Sequence, residues 1–144
     1  MTEFITNNGM YLLYFGGVIV IAIVVLVVQM KIRKNRAEKF LQETPDAAKV
    51  FLTSKALITS EAVTVHLVND EKPVMFTEKG KAGFYVKPKQ ADVHISYTYT
   101  RPGVMYKTVT QSTGMIKKEI EVEPNKSYKL SYDRKKSQFI FEEM

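Results

Sequence analysis

The segment MYLLYFGGVIVIAIVVLVVQM, residues 10–30, contains no charged side chain, and the basic sequence KIRKNR follows it directly. Thirteen of its residues are Leu, Ile, Val or Phe, side chains that favour insertion into lipid. At about 1.5 Å of rise per residue, a helix of this length measures about 31 Å, close to the roughly 30 Å hydrocarbon core of a bilayer. A helix also satisfies its backbone hydrogen bonds internally, as lipid requires. The segment therefore predicts a single transmembrane helix.

The residues around this span predict that it is retained as a signal anchor. A cleaved signal peptide begins with basic residues and ends at a cleavage site of small residues. Residues 1–9 contain Glu3 but neither Lys nor Arg, and the sequence Gln29-Met30-Lys31 contains no small residue. We therefore expect residues 1–9 to form a short N-terminal tail and the helix to remain in the membrane.

A basic cluster after the span predicts its orientation. Residues 31–39 carry five basic side chains against the single acid Glu38, whereas residues 1–9 carry no basic side chain. The positive-inside rule places such a cluster in the cytoplasm, so everything after the span is expected on the cytoplasmic side. Near anionic headgroups each basic residue contributes up to about 1 kcal/mol of attraction. The predicted lipid-contacting residues are Lys31, Arg33, Lys34, Arg36 and Lys39.

Residues 31–46 predict a basic juxtamembrane stalk that separates the span from a folded domain. Good helix formers continue to Glu43, and Pro45 then ends the helix, because proline lacks an amide hydrogen and disfavours helix at the preceding Thr44. Residues 47–52 are compatible with a second helix or with a first strand, and we favour the strand. The domain is therefore expected to occupy residues 47–144.

From Ala62 onward, short alternating segments separated by turn residues predict a mainly β domain. The clearest strand is residues 92–100, in which Val93, Ile95, Tyr97 and Tyr99 share one face. The sequence Arg101-Pro102-Gly103 predicts a tight turn after it. The residues that we expect to face the core from the other strands are Val63, Val65, Leu67, Ile116, Ile120, Val122, Tyr128, Leu130, Tyr132, Phe139 and Phe141.

The number and spacing of these strands predict a small antiparallel β-sandwich or a barrel. Residues 83–97, a strand, a proline turn and a second strand with an alternating inner face, resemble small immunoglobulin-like or transthyretin-like modules. The resemblance implies a sandwich of that type. The paired cysteines and core tryptophan of antibody domains are absent, since the chain has neither Cys nor Trp.

Composition and motifs argue against several classes of function. Without Cys there are no disulfides, thiolate ligands or cysteine nucleophiles. Residues 40–144 contain 16 Lys and Arg against 13 Asp and Glu, so much of the net charge of +6 lies beside the span, and we expect no nucleic-acid partner. His66 and His94 have no metal-ligand spacing, and no nucleophile elbow is present. We expect no metal, no cofactor and no enzymatic activity.

Tyrosines close to basic residues mark a possible partner surface. Such side chains either fill the rim of a sandwich core or stack on a ligand. We expect this surface near the predicted hairpin tip and the exposed sheet edges, which offer backbone groups to an incoming strand. Its predicted residues are Tyr97, Tyr99, Arg101, Tyr106 and Lys107.

These observations favour a single-pass, membrane-anchored, non-catalytic interaction protein whose cytoplasmic β-sandwich binds a membrane protein or forms an accessory subunit of a larger membrane complex. The alternative is an extracytoplasmic domain that binds a carbohydrate, a peptide or a component of the cell envelope. The two differ in the side of the membrane on which residues 47–144 lie.

Overall fold

A computed structural model describes residues 2–56, 58–105 and 107–144. The chain divides into two compact units, residues 1–35 and residues 36–144. An N-terminal helix is followed by two β-sheets, neither of which closes into a barrel. The prediction of a helix followed by a mainly β domain is confirmed.

The helix, α1, extends from Thr2 to Glu43. It includes both the predicted span and the helical stalk, and also residues 2–9, for which a short tail was expected. It contains a segment long and apolar enough to cross a membrane, and none of the most apolar window is buried by the rest of the described chain. The helix ends just before Thr44-Pro45, where the Thr44 amide donates a last hydrogen bond to the Phe40 carbonyl at 2.8 Å.

Ten strands follow the helix in the described part of the chain. The first confirms a strand at residues 47–52, and the second, a short exposed strand, was not predicted. The strands are β1 (Ala48–Leu52), β2 (Ser54–Ala56), β3 (Ser60–Val68), β4 (Val74–Glu78), β5 (Lys81–Val86), β6 (Lys89–Pro102), β7 (Thr108–Ser112), β8 (Ile116–Val122), β9 (Ser127–Asp133) and β10 (Gln138–Glu143).

The strands form two sheets of five. The first sheet has the order β10-β9-β1-β5-β4, and in the second β2-β3-β6 is continued by both β7 and β8 on the far side of β6. Strand β6 is long enough for two partners: residues 89–95 pair with β8 and residues 98–102 pair with β7. Between them, Thr113 exchanges two hydrogen bonds of 3.0 Å with the Tyr97 backbone. Strands β7 and β8 therefore lie end to end along one side of β6.

One strand pair corrects the expectation of a wholly antiparallel domain. Strands β1 and β9 are parallel, with Val50 opposite Tyr128, whereas every other pair in the described sheets is antiparallel. Neighbouring strands joined by a short hairpin must be antiparallel. Strands β1 and β9 are far apart in sequence, so the local turns did not determine their relative direction.

Apolar side chains from both sheets form a single core cluster. The alternation predicted for β6, β9 and β10 is confirmed, because their predicted inner residues are buried or pack against this cluster. The prediction is wrong for two of the residues expected to face the core, Ile116 and Leu67. Ile116 is 40% exposed at the start of β8. A bulge between Val65 and Leu67 shifts the register of β3, so that Val68 packs against the core in place of Leu67. The largest fully buried side chains are Phe84, Ile95, Leu130, Val50, Val86 and Val93.

The β6–β7 connection begins later than predicted. Arg101 and Pro102 belong to β6 and pair with Val109 and Thr108, so the connection begins only after Pro102. The predicted tight turn at residues 101–103 is wrong. Pro102 is the last residue of β6 and lies beyond Thr100, where the pairing of β6 with β3 ends, so it has a neighbouring strand on one side only.

Connections of the second unit, residues 36–144, which we call the β unit, gather at two opposite ends. The chain enters at Asp46, whose carbonyl accepts a hydrogen bond of 3.0 Å from the Asn125 amide in the β8–β9 connection. Because β9 runs parallel to β1, its last residues lie at the other end. That end, which we call the distal end, carries the β6–β7 loop and the β9–β10 turn. The candidate site lies there.

Candidate functional site

A recess of about 300 Å³ lies at the distal end, where β6 and β7 meet the β9–β10 turn. We call it the aromatic recess. The second sheet and the segment after β7 contribute Tyr97, Tyr99, Gln111, Ser112 and Thr113, and the first sheet and its turn contribute Tyr132, Arg134 and Ser137.

Stacked aromatic rings join the two sheets at this recess. The rings of Tyr97 and Tyr132 are 4.3 Å apart and nearly parallel, with an interplanar angle of 20°. Tyr132 also makes an edge-on contact of 4.9 Å with Phe139. Aromatic pairs in such geometries add about 0.5–1.5 kcal/mol to the energy of burial, so this side of the recess is held firmly in place.

Arg134 covers the second tyrosine. Its guanidinium lies 3.8 Å from the centre of the Tyr99 ring, a cation–π contact. Its Nη1 atom is 3.4 Å from Oε1 of Glu61, at the outer limit of a hydrogen bond. The turn that carries Arg134 is fixed by Asp133, whose carboxylate accepts the backbone amides of Lys135 and Lys136 at 2.9 and 3.2 Å.

The Tyr97 hydroxyl is the unusual group of the recess. Tyr97 is only 6% exposed, and its hydroxyl oxygen is buried and has no hydrogen-bond partner among the residues that the structure describes. Burial raises the pKa of this hydroxyl, and the Glu61 carboxylate raises it further, against the opposing effect of Arg134. Tyr97 therefore stays protonated at neutral pH and presents an unused hydrogen-bond donor, which is costly in a folded protein.

The structure brings together part of the predicted partner surface. Tyr97 and Tyr99 line the recess, although the ring of Tyr97 belongs to the core and is not a surface platform. Arg101 lies further along β6 and is exposed, as is Lys107 in the loop. Tyr106 lies outside the described residues.

Six residues of the recess were not predicted as site residues: Gln111, Ser112, Thr113, Tyr132, Arg134 and Ser137. Tyr132 was assigned to the core from its alternation in β9, which is correct but does not reveal its contact with Tyr97. Arg134 lies in the turn between β9 and β10, and no local sequence pattern indicates that it lies over Tyr99.

The predicted lipid-contacting residues Lys31, Arg33, Lys34, Arg36 and Lys39 are all exposed on α1. Arg36 and Phe40, which belong to the second unit, also line a recess of about 470 Å³ with other residues of that unit. The centres of the Phe40 and Tyr85 rings are 6.3 Å apart in a stacked arrangement. The end of the helix therefore packs against β5.

The two histidines have separate neighbours. His66 Nε2 is 2.7 Å from the Ser96 hydroxyl, and His94 Nε2 is 3.7 Å from Asp70 Oδ1. Within residues 2–56, 58–105 and 107–144, no group of three potential metal ligands comes together.

Comparison of the chain with protein-family models, with curated proteins and with solved structures found no match.

Proposed function

We propose that this protein is a single-pass membrane protein that acts without catalysis, as an interaction module or an accessory subunit of a membrane complex. The unburied apolar surface of α1 carries the proposal. Side chains such as Leu13 and Ile21 are 79% and 65% exposed, and each gains about 1.5–3 kcal/mol when it is removed from water. A bilayer or neighbouring membrane helices supply that burial.

We further propose that the β unit is a β-sandwich of the immunoglobulin-like or transthyretin-like kind. Its strands are antiparallel except for the parallel pair of β1 and β9. The core cluster to which both sheets contribute supports this type. The basic cluster after the span supports a cytoplasmic location for the unit.

The aromatic recess and the outer edge of β7 are the proposed partner surface. Anchoring confines the partners to two dimensions and raises their effective concentration, so a weak interface is sufficient. The Tyr97 hydroxyl has no partner in the described residues and Arg134 is held by a long ion pair, so both groups would gain a hydrogen bond from a second molecule.

The recess also supports the alternative function, an extracytoplasmic domain that binds a carbohydrate, a peptide or a component of the cell envelope. Tyrosine rings and hydroxyl or amide side chains such as Gln111 and Ser112 suit a sugar. In that case the basic cluster would lie outside, against the positive-inside rule.

Cysteine labelling separates the two. The chain has no Cys, so Thr2→Cys and Gln90→Cys variants are labelled against a clean background by an impermeant maleimide on intact cells. Labelling at Thr2 but not at Gln90 supports the cytoplasmic interaction protein. Labelling at Gln90 alone favours the extracytoplasmic binding domain.

The interaction itself is tested by purification of the intact protein in mild detergent after brief crosslinking in cells. We expect one or a few membrane proteins to co-purify reproducibly. A matched variant in which α1 residues 10–30 are replaced by an unrelated apolar span shows whether the helix or the β unit makes the contact. Recovery of the chain alone in every case contradicts the proposal.

A further inference from the structure

We propose that the aromatic recess and the outer edge of β7 together bind an extended acidic segment of a partner protein. The segment adds as a strand beside β7, and one of its carboxylate side chains enters the recess. This inference rests on the proposed function and names the chemistry of the partner.

Strand β7 offers an edge for such an addition. It pairs with β6 on one side, and in the described part of the chain no strand pairs with its other side. Its backbone donors and acceptors on that side are therefore available to an incoming strand. No other part of the described chain covers this edge, because four residues of β7 are exposed: Thr108, Thr110, Gln111 and Ser112.

The register places the recess on one face of this edge. Gln111 lies directly opposite Tyr99, so both side chains point to the same face of the sheet. A strand added beside β7 lies about 4.8 Å further out, and its side chains level with Gln111 point to that face as well. Alternate residues of the segment thus reach towards the recess.

The chemistry of the recess selects a carboxylate. The Tyr97 hydroxyl is a buried donor with no acceptor in the described part of the chain, and the Arg134 guanidinium is a permanent cation with several N–H donors. A carboxylate has two oxygens and accepts from both groups. A recess of about 300 Å³ lies at the lower limit of ligand pockets, a size that suits one side chain better than a whole oligosaccharide.

Glu61 occupies the position of the ligand in the free protein. Its carboxylate is 3.4 Å from Arg134, longer than a strong charge-assisted hydrogen bond. The Arg134 side chain is 49% exposed and lies over the Tyr99 ring, and binding requires it to move so that the carboxylate reaches the buried Tyr97 hydroxyl. An incoming carboxylate then replaces Glu61 as the partner of Arg134 and accepts a hydrogen bond from the Tyr97 hydroxyl.

The surroundings of the recess attract an acidic segment. Arg101, Lys107, Lys135 and Lys136 are exposed on the strand, loop and turn of the distal end. Complementary charge of this kind increases the rate of encounter and fixes the register of the segment.

The test uses the full-length protein in a neutral detergent and a fluorescein-labelled heptapeptide of alternating glutamate and valine. Fluorescence anisotropy is expected to show saturable binding. A peptide of the same composition with glutamates and valines in separate blocks keeps the charge but loses the alternation, and we expect it to bind at least about tenfold more weakly.

Variants of adjacent residues separate recognition from general attraction. Arg134→Gln is expected to weaken binding about tenfold or more, because hydrogen bonds to charged groups are strong. Lys135→Gln removes the same charge from the next residue, which does not line the recess, and is expected to change affinity by less than about threefold. Glu61→Gln removes the competing carboxylate and is expected to strengthen binding about twofold or more.

Strand addition is tested with the alternating peptide N-methylated at every second amide, in two versions that block opposite edges. One version is expected to lose binding and the other to retain it, because only one edge of the segment faces β7. Equal binding by both versions refutes strand addition. No binding of the alternating peptide, or equal effects of Arg134→Gln and Lys135→Gln, refutes the recess as an acidic-segment site.

Failure of this inference and failure of the proposed function give different results. If partners co-purify in cells while the peptide does not bind, the inference fails and the interaction protein stands. If the peptide binds but no partner co-purifies and Gln90→Cys is labelled from outside, the recess stands and the cytoplasmic function fails.

Discussion

Replacement of Tyr97 by Phe removes one oxygen atom and is expected to stabilise the protein. The Tyr97 hydroxyl is buried and has no hydrogen-bond partner within residues 2–56, 58–105 and 107–144, so folding removes its water without compensation. An unsatisfied buried group of this type costs about 1–3 kcal/mol. The ring remains and keeps its stack of 4.3 Å on Tyr132. We therefore expect the free energy of unfolding to rise by about 1 kcal/mol or more.

Two measurements on the full-length protein in detergent, both followed by circular dichroism, test this. A urea titration gives the free energy of unfolding, and heating gives the melting temperature. For a unit of this size, about 1 kcal/mol corresponds to a rise of about 4–6 °C in the melting temperature. Tyr132→Phe is the matched control, because it removes a hydroxyl from the other ring of the same stack, and that hydroxyl is not among the buried atoms without a partner in the described structure. We expect it to be close to neutral.

The same Tyr97→Phe variant is expected to bind the alternating acidic peptide more weakly, so that stability rises as affinity falls. Such an exchange is typical of groups kept for function at a cost in stability. A loss of stability of about 1 kcal/mol or more would refute the reasoning, because it would mean that the hydroxyl has a partner in the folded protein.

Three further changes test the fold and its charges. Gly83→Ala places a methyl group 2.6 Å from a backbone oxygen of β1, and we expect it to destabilise the β unit by about 1–3 kcal/mol in urea titrations. Thr113→Val leaves the Tyr97 amide without its 3.0 Å acceptor and is expected to cost about 1–3 kcal/mol, whereas Thr113→Ser keeps the hydroxyl and is expected to cost less. The Lys49 Nζ atom lies 2.8 Å from Glu78 Oε2 and holds the pKa of Glu78 below its ordinary value of 4.5. In the range below pH 4.5 the folded state therefore binds fewer protons than the unfolded state, so the stabilisation is present above pH 4.5 and is lost as the pH falls through the lowered pKa. Glu78→Gln is expected to make the free energy of unfolding less dependent on pH in that range.

Much of the fold could be predicted because its signals are local. The uncharged run at residues 10–30 and the proline at residue 45 define where α1 is apolar and where it ends. Alternation along β6 identified Val93, Ile95 and Tyr97 as core residues, since successive side chains of a strand point to opposite faces.

The errors arose where distant residues decide the outcome. The parallel pairing of β1 with β9 depends on strands that no short turn connects, and the bulge after Val65 reverses the faces of β3 without any glycine or proline to mark it. At the β6–β7 hairpin, Arg101 and Pro102 form ladder pairs because β7 begins only at Thr108.

The candidate site could be predicted only in part. Tyr97 and Tyr99 were identified from their positions in one strand, but the recess also needs Tyr132 and Arg134 from the other sheet. The position of Arg134 over Tyr99 depends on how the two sheets pack, and the sequence records no contact between them. The missing partner of the Tyr97 hydroxyl likewise appears only when its three-dimensional surroundings are known.

Photo-crosslinking in living cells tests the central claim most directly. A photoreactive phenylalanine analogue is placed at Gln111, exposed on β7 beside the aromatic recess, and in a second strain at Thr77, exposed on β4 at the edge of the other sheet. We predict a discrete crosslinked protein from position 111, reduced by Arg134→Gln and unchanged by Lys135→Gln, and none or a weaker one from position 77. A product of equal strength from position 77, or a product from position 111 that persists in Arg134→Gln, would contradict the account.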